Sequence, residues 1–135
     1  WGIKEASGDI SYAVSIAHCL SDDFRMMSGN DDMIVPLMSL GAVGVISVWA
    51  DVAPRTVHDL CAKFLAGDVA GARRLQLDNL ELIHSLFCEV NPIPVKAALA
   101  KMGLLDENYR KPLWPMTDSD RERLYAAMKG AGLID

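Results

Sequence analysis

The chain has 135 residues, half of them hydrophobic and under a quarter charged, a balance that fits one globular domain with its own core. A net charge of −5 with no basic cluster argues against nucleic acid and acidic membrane surfaces as partners. No apolar run approaches the ~20 residues of a membrane helix, and Lys4 and Glu5 interrupt the first apolar stretch, so no signal peptide is predicted. The three cysteines, Cys19, Cys61 and Cys88, lie far apart in apolar segments and form no CxxC pair. They are expected to be reduced thiols used as small core residues in a cytoplasmic protein.

In chain order, residues 1–6 are expected to be extended, and Asp9 to cap a helix over about 10–20 whose apolar face is Ile10, Val14, Ala17 and Leu20. Residues 24–28 form a second short strand. Gly29-Asn30-Asp31 is a turn and cap leading to a helix over about 31–40. Residues 43–48 read as a third strand, apolar almost throughout, as suits a parallel strand covered on both faces. Val57, Leu60, Cys61, Phe64 and Leu65 mark an amphipathic helix ended by Gly67. Residues 68–88 read as one longer helix packed on two sides, broken by Pro92 and Pro94. Helix resumes over 95–102, and Thr117-Asp118-Ser119-Asp120 caps a last one reaching about 129.

Three strand-then-helix units imply parallel strands. Three parallel strands alone leave two raw edges. A (β/α)₈ barrel needs ~250 residues, and the second half of this chain is purely helical. The expected fold is α/β: the C-terminal part of a TIM (β/α)₈ barrel, three β/α units, followed by a C-terminal helical segment. Residues 1–67 are assigned to the last three units, and 68–135 to the final barrel helix and the helical domain. A strand beginning within the first residues, with no initiator Met, is expected to have lost an N-terminal portion.

Chemistry centres on Lys4. An amine attacks a carbonyl only when neutral, and at a pKa of ~10.4 about one lysine in a thousand is neutral near pH 7. A desolvating barrel interior would lower that value. Gly2, Lys4 and Ala6 share one strand face, leaving room around the amine. Strand position by itself fits an exposed terminal charge better. Gly29-Asn30-Asp31 falls where a barrel meets substrate, and its backbone N–H groups could hold a carboxylate, although most such triplets are helix caps. His18/Cys19, His58/Cys61 and His84/Cys88 lie on separate segments, so packing accounts for them better than metal ligation.

Gly2-Ile3-Lys4-Glu5-Ala6-Ser7-Gly8-Asp9 resembles the Schiff-base strand of the dihydrodipicolinate synthase (4-hydroxy-tetrahydrodipicolinate synthase) family. Ser28-Gly29-Asn30-Asp31 resembles its next active-site loop, Gly44-Val45-Ile46-Ser47-Val48 its following strand, Asn91-Pro92-Ile93-Pro94-Val95-Lys96 its helical-domain signature, and Leu113 to Thr117 its Pro-rich crossing. These motifs run in order along essentially the whole chain. Sister enzymes with the same lysine and barrel are N-acetylneuraminate lyase and the keto-deoxy-sugar-acid aldolases. Glu5-Ala6-Ser7-Gly8 and the Asn-Pro-Ile-Pro-Val-Lys run favour the synthase branch.

The resemblance implies that Lys4 forms an imine with pyruvate, whose enamine adds to aspartate semialdehyde in lysine and diaminopimelate biosynthesis. It implies a backbone carbonyl of Ile46 near pyruvate, Gly29 and Asn30 lining the second-substrate pocket, no cofactor and no metal. The family often has Asp where Asn30 stands. Its proton-relay tyrosine, hydroxyl partners and carboxylate-gripping arginine precede the lysine strand and map to nothing here; Tyr12, Tyr109 and Tyr125 match none of them. The implied partners are the missing N-terminal half and further copies, as a dimer or tetramer. The other class of reading is a non-catalytic half-barrel module.

Overall fold

The computed structural model describes residues 1–135. Its elements are β1 (Gly2–Glu5), α1 (Ile10–Ala17), β2 (Arg25–Ser28), a 3₁₀ turn (Asp31–Met33), α2 (Ile34–Ser39), α3 (Trp49–Val52), α4 (Pro54–Leu65), α5 (Val69–Asp78), α6 (Leu80–Ser85), α7 (Ile93–Lys101) and α8 (Asp118–Gly130). They fall into two compact units, Trp1–Ser47 with Arg55–Leu77, and Val48–Pro54 with Asp78–Asp135.

In the first unit β1 and β2 pair in parallel, with Lys4 opposite Met27 and Glu5 opposite Ser28. The expected third strand is reduced to a single parallel bridge between Ser28 and Val45. Its contacts are those of a parallel ladder: Val43 N–H to Met26 O at 2.9 Å, Ser28 N–H to Gly44 O at 2.8 Å and Ile46 N–H to Ser28 O at 2.8 Å. The pairing stops early because Val48 has already turned helical, with φ −79° and ψ −37° ahead of α3. The order is therefore sequential, β1–β2–segment 43–46, as successive β/α units require.

Alternation divides the two faces of this sheet. Met26, Ser28 and Glu5 are buried on one side, where Ala13, Ile34, Leu37, Val57 and Leu60 are core residues of the same unit. On the other side Lys4, Ala6 and Ile46 are exposed, and Gly44 is buried, with the methyl of Met27 3.3 Å from where its Cβ would stand.

Several helices differ from expectation. Asp9 caps α1 as predicted, accepting from Ser11 N at 2.8 Å and Tyr12 N at 3.2 Å. The helix ends at Ala17, however, and its predicted apolar face is not buried: Ile10 is 46% and Val14 52% exposed, whereas Ala13 is fully buried. The predicted 31–40 helix opens as a 3₁₀ turn, and Pro36 is accommodated in the first turn of α2, where its missing N–H costs nothing. The 68–88 helix is two helices, interrupted at Asn79, which has φ −107° and ψ 9°. The cysteines are not core residues: Cys19 is exposed and Cys61 and Cys88 are half-buried, all as free thiols.

The second unit packs α3 on α7, α6 on α8 and α7 on α8. Trp49, Leu82, Ile83, Leu86, Leu124 and Met128 are its large buried side chains. Helix α7 starts earlier than predicted because Pro94 is tolerated in a first turn. Thr117 caps α8, its Oγ1 accepting from Asp120 N at 3.3 Å. A half-buried polar group ties the crossing to this helix. Arg121 donates from both terminal nitrogens to Glu107 at 2.6 Å, and the Tyr109 hydroxyl lies 3.0 Å from Glu107 Oε1 and 3.1 Å from the Ile93 carbonyl. The Arg121 guanidinium, helped by the Tyr109 hydroxyl, holds the Glu107 carboxyl below its ordinary range. Burial, then Glu107, pushes the Tyr109 phenol up.

Candidate active site

The side chain of Lys4 is laid along the end of the sheet toward β2. Its Cε stands 3.0 Å from the position a β-carbon on Gly29 would take, with Ala6 Cβ at 2.5 Å and the Glu5 carbonyl at 2.9 Å from the same point. Only a residue without a side chain fits there. The Gly29 N–H donates to Glu5 O at 2.6 Å, so it closes the β1–β2 pairing and is not available to hold a carboxylate, as the turn's position had suggested.

Asn30 precedes the 3₁₀ turn but does not cap it with its side chain. Its amide nitrogen instead lies 3.9 Å from Met33 Sδ and 3.6 Å from where a β-carbon on Gly8 would stand. Gly8 has φ +75°, a left-handed turn that glycine adopts without strain. The loops after β1 and β2 thus meet at one end of the sheet. Ile46 arrives at the same end through its N–H bond to Ser28.

The structure therefore brings together Lys4, Gly29, Asn30 and Ile46, the four residues singled out from the sequence. The dry cavity expected around the Lys4 amine is not formed by these residues, since Lys4 is exposed. Tyr12, on α1, is exposed, and Tyr109 and Tyr125 belong to the Arg121 group in the second unit. No group of three or more His, Cys, Asp or Glu residues could hold a metal ion. No helix is long and apolar enough to cross a membrane.

Three polar side chains that shape this end were not anticipated. Glu5, next to Lys4, is only 4% exposed and accepts from Ser7 N at 2.7 Å and from the Ser7 hydroxyl. Ser28, fully buried, donates to Asn30 O at 2.8 Å and fixes the turn beyond β2. Gln76 reaches from α5 to the start of α2, accepting from Val35 N at 2.8 Å and donating to Asp32 O at 2.5 Å. A polar residue at a strand position facing the helical layer was the signal for Glu5 and Ser28. Nothing local marked Gln76.

Comparison with known proteins identifies the family and the fold. The sequence model described as "Dihydrodipicolinate synthetase family" matches residues 1–131. A 4-hydroxy-tetrahydrodipicolinate synthase of Lachnoclostridium phytofermentans is 48% identical over 132 residues, 98% of this chain and 45% of the relative. The crystal structure of dihydrodipicolinate synthase from Thermotoga maritima superposes with a TM-score of 0.94 at 40% identity, covering 98% of this chain and 46% of that one. A chloride-inhibited dihydrodipicolinate synthase from Acinetobacter baumannii, complexed with pyruvate, gives 0.92 at 43% identity over 98% and 46%. The chain spans about half the length of the relatives it matches. Its fold is that of part of a (β/α)₈ barrel with a helical segment after it. Matched by that sequence model over nearly its whole length, the chain belongs to the dihydrodipicolinate synthetase family.

Proposed function

We propose that this chain carries the imine-forming half of a 4-hydroxy-tetrahydrodipicolinate synthase acting in the cytoplasm. The Lys4 amine condenses with the ketone of pyruvate and releases water. Loss of a methyl proton from the iminium gives an enamine, which forms a carbon–carbon bond to the aldehyde of aspartate semialdehyde. The amine of that substrate then displaces Lys4 as the ring closes. Ile46 offers its backbone carbonyl to bound pyruvate, and Gly29 and Asn30 line the pocket of the second substrate. No cofactor or metal enters.

The observation that carries this reading is the approach of the Lys4 side chain to Gly29, an amine at the sheet end where substrate meets a barrel. The names of the relatives and the pyruvate bound to one of them support it. Residues 1–67 form the last three barrel units and 68–135 the final barrel helix and helical domain. The open face bearing Lys4 and the exposed Ile10 and Val14 suit coverage by the other half of the barrel, which would desolvate the amine and supply proton relay. Acid–base groups contribute roughly 10²–10⁴-fold, so the 135-residue chain alone is expected to turn over far more slowly than the whole. Assembly as a dimer or tetramer completes the proposal.

Borohydride reduction of the native protein in the presence of pyruvate tests it. A reduced pyruvyl adduct on the peptide holding Lys4 is expected; a folded sample without one overturns the reading in favour of an inert half-barrel. Coupled assays with aspartate semialdehyde and with sialic acid separate the synthase from a sister aldolase, and the intact mass of the native protein shows whether a further half accompanies this one.

A further inference from the structure

Glu5 is a buried carboxylate immediately beside the amine-bearing residue, on the opposite face of β1. Burying a carboxylate is costly unless donors meet it. Here Ser7 supplies both of the donors seen on Oε1, its backbone N–H at 2.7 Å and its hydroxyl. The Ser7 oxygen in turn accepts from Asp9 N at 3.1 Å, and Asp9 caps α1. The main chain of Glu5 is engaged as well, its carbonyl accepting from Gly29 N at 2.6 Å. One residue therefore joins the end of β1 to the Gly29 turn through its backbone and to the start of α1 through its side chain. Between these two attachments lies Ala6, whose Cβ presses on Gly29 from the same side as the Lys4 stem.

We propose that Glu5 is a positioning residue: its carboxylate, acting through Ser7, holds the end of the lysine strand against Gly29 so that the amine is presented in one orientation. The inference rests on the reading that Lys4 forms an imine with a 2-oxo acid. A carboxylate-to-alanine change frees the Ser7 turn without touching Lys4, and misplacement of a reacting group by about 1 Å can cost on the order of 100-fold in rate.

The test measures the rate of borohydride-trapped pyruvate adduct on Lys4 in the native protein, at saturating pyruvate and per folded molecule, with the thermal midpoint recorded in parallel. Glu5→Ala is expected to slow trapping by about 10-fold or more. Glu5→Gln, which keeps an acceptor oxygen for Ser7 in the same volume, is expected to restore it to within about 3-fold. Trapping by Glu5→Ala at the native rate, with only the midpoint lowered, overturns the proposal, as does a Glu5→Gln variant no faster than Glu5→Ala. Should Glu5→Ala not fold, Ser7→Ala decides, since unchanged trapping there overturns the role and slower trapping supports it. Absence of any adduct on native Lys4 overturns the imine reading and this inference with it, whereas normal native labelling with an indifferent Glu5→Ala removes the positioning role alone.

Discussion

The Lys4 side chain rests on Gly29: a β-carbon at position 29 would come within 3.0 Å of Lys4 Cε, 2.5 Å of Ala6 Cβ and 2.9 Å of the Glu5 carbonyl. The last of these is backbone and cannot swing aside. Gly29→Ala is therefore expected to force the β1 and β2 ends apart and to destabilise by about 1–3 kcal/mol, the usual cost of overpacking. Chemical denaturation reads the stability loss. Pyruvate trapping on Lys4 should fall further than that loss accounts for, because the amine loses its resting surface. A variant as stable as the native protein would show that the two loops have slack.

Gln76 satisfies two backbone groups at the start of α2, Val35 N–H and Asp32 C=O, from 41 and 44 residues away. Gln76→Leu keeps most of the volume but leaves both partners without their bond. Both bonds are part-buried, and a typical hydrogen bond contributes a net of about 0.5–1.5 kcal/mol, so losing the two is expected to cost about 1–3 kcal/mol in urea unfolding. Amide exchange at Val35 should accelerate by more than exchange in α8. Uniform acceleration would instead mean that Gln76 contributes to global stability alone.

Glu107 and Arg121 couple stability to pH. Both are about three-quarters buried, at 22% and 24% side-chain exposure. Because Arg121 lowers the Glu107 pKa from its ordinary 4.5 in the folded protein, the pair stabilises fully above that value and progressively less as pH falls through the folded pKa. Tyr109, whose pKa is raised above its ordinary 10.0, acts in the opposite direction: its contribution is complete below pH 10.0 and is lost as pH rises beyond it. Glu107→Gln is expected to remove about 1–3 kcal/mol at neutral pH and to flatten the acid limb of a midpoint-against-pH curve. An unchanged acid limb would assign that limb to other carboxylates.

Leu60 is fully buried on α4. Leu60→Ala should destabilise by about 2–5 kcal/mol through lost burial and the cavity left behind. Thr117→Ala, which removes the oxygen capping α8 at Asp120 N, should cost about 0.5–2 kcal/mol. Leu60 and Thr117 belong to different compact units, so their effects are expected to add in the double variant. Equilibrium denaturation of all three proteins checks both magnitudes and the sum.

Much of this arrangement was legible before any coordinates. Asp9 and Thr117 cap the helices they were expected to cap, because a cap is a contact between neighbours in sequence. Lys4, Gly29 and Asn30 lie together, because strands one β/α unit apart must pair in parallel. Where sequence reading erred, it lacked a partner. Ile10 and Val14 were read as the apolar face of α1, but periodicity does not say what covers a face, and in this chain both are exposed while Ala13 is buried. The apolar run 43–48 has the composition of a full strand, yet its pairing ends once Val48 turns helical.

Local pattern alone determined the first two strands, the caps at Asp9 and Thr117 and the lysine strand with its glycine turn, since each depends on residues a few positions apart. The tertiary structure decided what those elements meet: that Glu5 turns inward onto Ser7 while Lys4 faces out, that Gly29 gives its N–H to Glu5 and not to a ligand, and that Gln76 steadies a helix some forty residues earlier. Those outcomes follow from which donor lies near which acceptor once the chain has folded, and no spacing in the sequence encodes that proximity.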